Sequence, residues 1–252
     1  MIAAKPSSDW ERWFRRTKER AAKPELRVLC FPYAGGTANA FRAWSAAVPP
    51  WVELIAVQYP GHADRIADAC AESIDAMSAE IASAYEQGDD VATAFFGHSL
   101  GAVVAYEVAR ALQARGRPPV ALVVSGRPAP HLDRGGRVHL LDEDGIFADM
   151  IRLGGTSPEL LEHAELRALL LPMLRSDYRL SETYHPALEP KLRLPVMACV
   201  SDGDPEVTES EARGWAAVTD GKFALRTFTG DHFYLTAKYG EVVEAIVSFS
   251  KT

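Results

Sequence analysis

Three cysteines in 252 residues are too few, and too odd a number, for a disulfide framework. Cys30 and Cys199 sit inside apolar runs, where a thiol serves as a small core side chain, and a reducing cytoplasm is the expected setting. Excess positive charge is also missing. Lys and Arg number 27 against 34 Asp and Glu, a formal charge of −7, which excludes a general nucleic-acid binder working through cationic contacts to phosphate. No apolar run approaches the roughly 18 residues of a membrane helix. The longest, such as 120–124 and 169–171, are short and bounded by Gly, Pro or charge. A secretory signal is absent, because Asp9, Glu11, Arg12, Arg15 and Arg16 bring charge in where an apolar core would be needed. There is no internal repeat, no low-complexity tract and no His/Cys spacing suited to a metal. No dinucleotide-binding Gly-x-Gly-x-x-Gly follows a strand. With 48% hydrophobic and 24% charged residues, disorder and fibrous folds are excluded, and the length can bury one sizeable core.

Against these absences stands a regular alternation. Short runs rich in Val, Leu, Ile and Phe at 27–31, 53–58, 92–96, 121–125 and 196–200 read as buried strands, with 224–228 a weaker sixth. Helical patterns fill 41–47, 74–85, 102–114 and 210–218, and 241–250 closes the chain. A further helix over 9–20 would carry Trp10, Trp13 and Phe14 and end at Lys23-Pro24. Strands alternating with helices predict an α/β protein, 1–252 forming one domain around a doubly wound, mostly parallel sheet. One interval breaks the alternation: 128–195 holds no convincing strand.

The chemistry is carried by Gly97-His98-Ser99-Leu100-Gly101, which follows one apolar strand and opens a helix. Small-x-Ser-x-small at such a junction is a nucleophile elbow. The turn is so sharp that residues two before and two after the serine must be small, and the hydroxyl is thrust off the top of the sheet. The helix start beneath it supplies free N–H groups, Leu100 among them, and a positive dipole end for a developing oxyanion. A serine needs a base, expected as a histidine on a late loop with an acid behind it, in the order Ser, Asp, His. His232, in Gly230-Asp231-His232-Phe233, is the base candidate. The other histidines lie beside the nucleophile (His98) or before the acid-bearing strand (His62, His131, His139, His163, His185). The turn 201–205 offers two carboxylates, Asp204 preferred over Asp202. A Gly-rich loop, 31–37, follows the first apolar strand. It lacks the Gly-Lys-Ser/Thr ending of a phosphate loop and suits a backbone N–H brought close to a substrate oxygen.

With a serine at this position, 128–195 is expected to be a helical lid inserted between two core strands. Its helical patterns lie at 142–153, 158–163 and 166–184, with Gly pairs at 135–136 and 154–155 as hinges. The apolar faces Ile146, Phe147, Met150, Ile151 and Leu169, Leu170, Met173, Leu174 are the candidate acyl-pocket lining.

Four stretches carry a family resemblance: Phe-Pro-Tyr-Ala-Gly-Gly (31–36), Gln-Tyr-Pro-Gly-His-Ala-Asp-Arg (58–65), Phe-Phe-Gly-His-Ser-Leu-Gly (95–101) and Gly-Asp-His-Phe-Tyr-Leu (230–235). The 201–205 turn is a looser fifth, beginning Ser201-Asp202-Gly203 rather than with a glycine pair. The chain resembles an α/β-hydrolase, and more narrowly the discrete type II thioesterases of nonribosomal peptide and polyketide synthases. The resemblance implies the α/β-hydrolase fold, Ser99 as nucleophile, Asp204 as acid, His232 as base, and the backbone N–H groups of Ala34 and Leu100 as oxyanion donors. It implies no metal and no cofactor of the chain's own. The substrates would be acyl groups held as thioesters on the phosphopantetheine arm of acyl or peptidyl carrier domains, removed when misloaded or stalled. A small-molecule carboxylesterase or lipase on the same fold is the alternative, and it leaves the 59–65 loop unexplained. With some 25 residues ahead of the first strand, a free-standing protein is expected. Carrier domains of the family's partners are acidic, so docking would need a local basic patch, for which Arg12, Arg15, Arg16, Lys18 and Arg20 are the candidates.

Overall fold

Each apolar run of the sequence becomes a strand whose alternate side chains enter two different cores. In the computed structural model, which describes residues 9–17, 23–132, 135–156, 159 and 163–251, the strands are β1 (Phe14–Arg16), β2 (Leu26–Phe31), β3 (Val52–Val57), β4 (Thr93–His98), β5 (Ala121–Ser125), β6 (Val196–Ser201) and β7 (Phe223–Phe228). They form one sheet in the order β1-β3-β2-β4-β5-β6-β7. β2 to β7 pair in parallel, and β1 runs antiparallel along β3. Leu29, Phe31, Phe95, Leu122 and Val124 face α2 (Ile74–Tyr85) and α3 (Leu100–Ala114) on one side. Val28, Cys30, Phe96, Val123 and Cys199 face the 3-10 segment Ala38–Ala46 and α8 (Tyr239–Phe249) on the other. A strand's period of two sends neighbours to opposite faces, and both faces are covered. The central runs are therefore apolar at nearly every position instead of alternating, Arg27 and Glu53 being the charged exceptions.

The differences from the sequence reading have local causes. The expected 9–20 helix stops early: α1 covers Asp9–Trp13, and Phe14–Arg16 is strand. Phe14, Arg15 and Arg16 pair with Val57, Ala56 and Ile55 along β3, and that ladder overrides the helical pattern. Lys18 and Arg20 lie outside the described residues. The expected basic patch is already neutralised where it is described. Arg12 pairs with Asp68, Arg15 with Asp64 and Arg16 with Glu53. The 41–47 helix is a 3-10 segment, and 210–218 divides into α6 (Glu209–Arg213) and a 3-10 turn, Gly214–Val218. Between β5 and β6 the described residues hold α4 (Glu143–Leu153), α5 (Ala164–Glu182) and no strand. The 158–163 pattern lies almost entirely outside the described residues.

Arg27 is the one basic side chain set deep beneath this sheet among the described strands, 2% exposed. Its register partner on β3 is Glu53, whose carboxylate lies 2.7 Å from Arg27 Nη2 and 3.0 Å from Arg16 Nε. Burial pushes the Glu53 carboxyl up, but the two guanidiniums outweigh it and hold it below the usual carboxylate range. This contribution is complete above the unfolded-state value and disappears as pH falls through the lower folded one. Glu53→Gln leaves a buried guanidinium short of its charge. Urea denaturation at neutral pH is expected to show a loss of about 3–5 kcal/mol. The loss should shrink in acid, where the wild-type carboxylate is protonated too.

Candidate active site

The serine is placed by two steric constraints. A Cβ on Gly97 would lie 2.1 Å from the carbonyl oxygen of Gly101, so α3 crosses the end of β4 at backbone contact. A Cβ on Gly101 would lie 2.0 Å from the Phe31 carbonyl oxygen and 2.6 Å from that of Pro32, so α3 is equally tight against the end of β2. The turn between them forces Ser99 to φ +53°, ψ −117°, a strained conformation for a residue with a Cβ. Its N–H is held by the Ser125 carbonyl at 2.8 Å, while its hydroxyl makes no capping bond to α3. The serine thus stands at the start of a 15-residue helix whose first N–H groups, that of Leu100 included, have no carbonyl four residues back within the helix.

His232 follows β7, two residues ahead of α7 (Tyr234–Ala237), and Asp204 follows β6. The Asp204 side chain is fully buried, with both oxygens 2.9 Å from His232 Nδ1. Asp202, the other candidate acid, is turned elsewhere and accepts the Gly230 N–H at 3.0 Å. The His98 ring also packs against His232, at 4.7 Å between centroids and tilted by 48°. Burial, and then the neighbouring His232, hold His98 well below the ordinary histidine range, so it stays neutral. Its Nδ1 lies 2.9 Å from Ser125 Oγ, which in turn is 2.7 Å from the Tyr234 hydroxyl.

The Gly-rich loop is a tight turn closed by Gly36 N–H to the Tyr33 carbonyl at 2.8 Å, with Gly35 at φ +75°. Other parts of the chain hold it in place. Tyr59 donates its hydroxyl to the Pro32 carbonyl, Gln58 Oε1 accepts the Ala38 N–H, and Asp177 of α5 accepts the Gly35 N–H at 2.7 Å. The 58–65 stretch is therefore a brace beneath this loop. Reading the sequence missed His62 and Asp177, which meet at 2.9 Å. One signal was available. Asp177 falls on the helical face of Met173, Leu174, Leu180 and Ser181, which is buried, and a carboxylate on such a face needs partners.

A cavity of about 280 Å³ brings these parts together. Ser99, His232, Ala34 and Gly35 form one wall; Met150, Leu153 and Tyr178 of the α4–α5 segment form the other. Of the apolar side chains expected to line it, Met150 does. Ile146, Phe147, Met173 and Leu174 instead pack together into a small core of the insert itself, and Ile151 and Leu169 face solvent. Two helices that form a body of their own hold a fixed shape by burying a common face, which takes those side chains away from the cavity. Gly154 ends α4 in the left-handed conformation, and a Cβ on Gly155 would lie 3.0 Å from the Phe233 ring.

A mostly parallel sheet with a serine elbow after β4, an acid after β6 and a histidine after β7 defines an α/β-hydrolase. The chain belongs to the thioesterase domain family, whose profile matches residues 26–250, and with it to the thioester hydrolases. It is 43% identical over 236 residues to the thioesterase PikA5 of Streptomyces venezuelae, covering 93% of this chain and 84% of that protein. Among solved structures it is similar to the type II thioesterase BorB from the borrelidin biosynthetic cluster. There the identity is 38% and the TM-score 0.88, over 98% of this chain and 100% of that one. It is similar as well to YbtT, a type II thioesterase from the yersiniabactin NRPS/PKS pathway, at 32% identity and a TM-score of 0.86, over 94% and 98%.

The elbow can be tested on stability alone. Gly101→Ala drives a Cβ into two backbone carbonyls that cannot swing aside, and is expected to cost about 3 kcal/mol or more by chemical denaturation. Gly240→Ala in α8, where nothing lies within 4 Å, should change stability by less than about 1 kcal/mol.

Proposed function

We propose that this chain hydrolyses acyl groups from the phosphopantetheine arm of acyl or peptidyl carrier domains, freeing misloaded or stalled sites of a polyketide or nonribosomal peptide synthase. One observation carries the reading: Ser99 and His232 face a single cavity, with the buried Asp204 carboxylate on His232 Nδ1. The similarity to type II thioesterases of such pathways supports the choice of substrate. Free thiols at Cys30, Cys70 and Cys199 fit the cytoplasm, and no helix among the described residues is long and apolar enough to cross a membrane.

In this mechanism Ser99 Oγ attacks the thioester carbonyl carbon while His232 Nε2 takes its proton. Asp204 keeps the other ring proton on Nδ1, fixing the tautomer and stabilising the imidazolium. The carbonyl oxygen becomes an oxyanion held by the N–H groups of Ala34 and Leu100, each such donor being worth about 10²–10³ in turnover. The C–S bond breaks, and His232 returns the proton to the leaving thiol. Water then attacks the acyl-serine with His232 again as base, releasing the carboxylic acid and Ser99. No step calls for a cofactor. The cavity is at the small end for a ligand site, so a short acyl group fits beside Ser99 with the arm reaching in from outside. The α4–α5 segment acts as the lid that keeps bulk water from the acyl-enzyme.

Ser99→Ala should end turnover with the fold retained, and Asp204→Asn should lower kcat by about 10⁴. Asp202→Asn, which still accepts the Gly230 N–H, should stay near wild type. Equal losses in the two Asp variants would overturn the acid assignment. Mass spectrometry of carrier domains loaded with acyl groups should show release far faster than that of matched oxygen esters. Preference for oxygen esters would mean a carboxylesterase.

Chain-length preference tests the lid. Met150→Ala enlarges the cavity and should favour longer acyl groups by about fourfold in kcat/KM per added methylene, from ~0.8 kcal/mol each. Met173→Ala, in the insert's own core, should leave preference unchanged and lower stability by about 2–5 kcal/mol.

A further inference from the structure

Asp177 sits on the buried face of α5, its side chain 4% exposed. One of its oxygens, Oδ2, accepts the Gly35 N–H at 2.7 Å and faces His62 Nε2 at 2.9 Å. The His62 side chain is 1% exposed, and its Nδ1 lies 2.9 Å from the Pro60 carbonyl oxygen. A carbonyl and a carboxylate can only accept, so both ring nitrogens carry hydrogen and His62 is an imidazolium. A carboxylate and an imidazolium therefore meet in the interior, between a helix of the insert and the loop that carries the proposed oxyanion donor. The reaction itself uses neither.

The same helix grips the turn a second time. A Cβ on Gly35 would lie 2.6 Å from Leu174 Cδ2, so Leu174 and Asp177, three residues apart on one face, close over Gly35 together. The His62 side is also constrained. Ala63 stands at φ +47°, a strained value for alanine, and is held there by Gly61 N–H to the Arg65 carbonyl and by Arg65 Nη1 to the Gln58 carbonyl.

We infer that Asp177 is a positioning residue: charge-paired with His62, its carboxylate fixes the Gly35 N–H and with it the Tyr33–Gly36 turn, so that the Ala34 N–H stands where the oxyanion forms. The inference rests on the acyl-serine mechanism proposed above. An oxyanion donor works only within about 2.7–3.1 Å of the developing charge, so a turn free to drift loses its effect on the transition state while substrate binding is kept. Burial is the largest influence on His62 and opposes its charge, as does Arg65. The charge and hydrogen bond of Asp177 and the Pro60 carbonyl outweigh them and raise His62 above its ordinary range. Among the described residues the pair also faces the Tyr59 phenol and the Cys70 thiol, both pushed up by burial and then by Asp177. The pair is therefore complete below the ordinary histidine value of about 6.5 and is lost as pH rises through the higher folded value.

The test measures kcat and KM of wild type, Ser99→Ala, Asp177→Leu and His62→Gln on an acyl-N-acetylcysteamine thioester, from about pH 6 to about pH 10, with circular dichroism of each protein. Asp177→Leu removes the acceptor and keeps the branched shape, with bulkier termini. Its kcat should fall about 10²-fold, the effect of one oxyanion donor, with KM within about twofold. Wild-type kcat should fall on the alkaline side. His62→Gln keeps one N–H for Asp177 but has no proton to lose, so its kcat should lie within about fivefold below wild type and the alkaline fall should vanish. A folded Asp177→Leu with kcat within about twofold of wild type overturns the inference. If that variant does not fold, an alkaline fall persisting in His62→Gln overturns it. In either case an active wild type and an inactive Ser99→Ala leave the acyl-serine reading standing, whereas turnover by Ser99→Ala removes both.

Discussion

The backbone crossing of α3 over the ends of β4 and β2 is the contact on which the rest of this site depends. It leaves no room for a Cβ at Gly97 or Gly101. That closeness bends Ser99 into its strained positive-φ conformation, sets its hydroxyl at the start of a helix, and brings the Gly-rich loop after β2 beside that start. Separating α3 from the sheet by even one methyl group would move all three features together. The helix N-terminus, the serine and the loop form one rigid unit because backbone, which cannot change rotamer, meets backbone.

Around that unit the chain keeps ionic and neutral groups apart. Two buried ion pairs serve as fastenings: Arg27–Glu53 locks β2 to β3 beneath the sheet, and His62–Asp177 ties α5 to the 58–65 brace. Beside His232 the arrangement is opposite. His98 is held neutral, its ring packed at a tilt against His232 and its Nδ1 engaged by Ser125. In the proposed mechanism a second positive charge there would oppose the imidazolium that His232 becomes, whereas Asp204 on the other ring nitrogen favours it.

The insert is both a wall of the cavity and a small body with its own core. Ile146, Phe147, Met173 and Leu174 hold α4 to α5, joined by the Tyr178 hydroxyl on Asp149 at 2.9 Å. α5 is also anchored to the Gly-rich loop, and both helices line the cavity, α4 through Met150 and Leu153 and α5 through Tyr178. Shape near the serine can thus vary through a few α4 side chains without disturbing the turn beneath.

Much of this architecture was legible in the residue order, because its causes are local. Strands buried on both faces must be largely apolar, and the elbow must have glycine two places either side of its serine. Ser99 and the late His232 could be picked out on those grounds. Asp204 could be preferred over Asp202, but both stand on one turn, and it is the path of that turn against β7 that brings Asp204 to the histidine. Phe14–Arg16 carries a helical pattern and becomes a strand because β3 offers a free edge. The apolar faces of α4 and α5 were visible, but which side chains pack between the helices and which face the cavity depends on how the two helices meet. His62 and Asp177 stand 115 residues apart, and neither has a neighbour in sequence that announces the other. Composition and periodicity record what a residue's own neighbours require. A buried charge is settled by whatever the completed fold brings against it, and that information exists only once distant segments have packed.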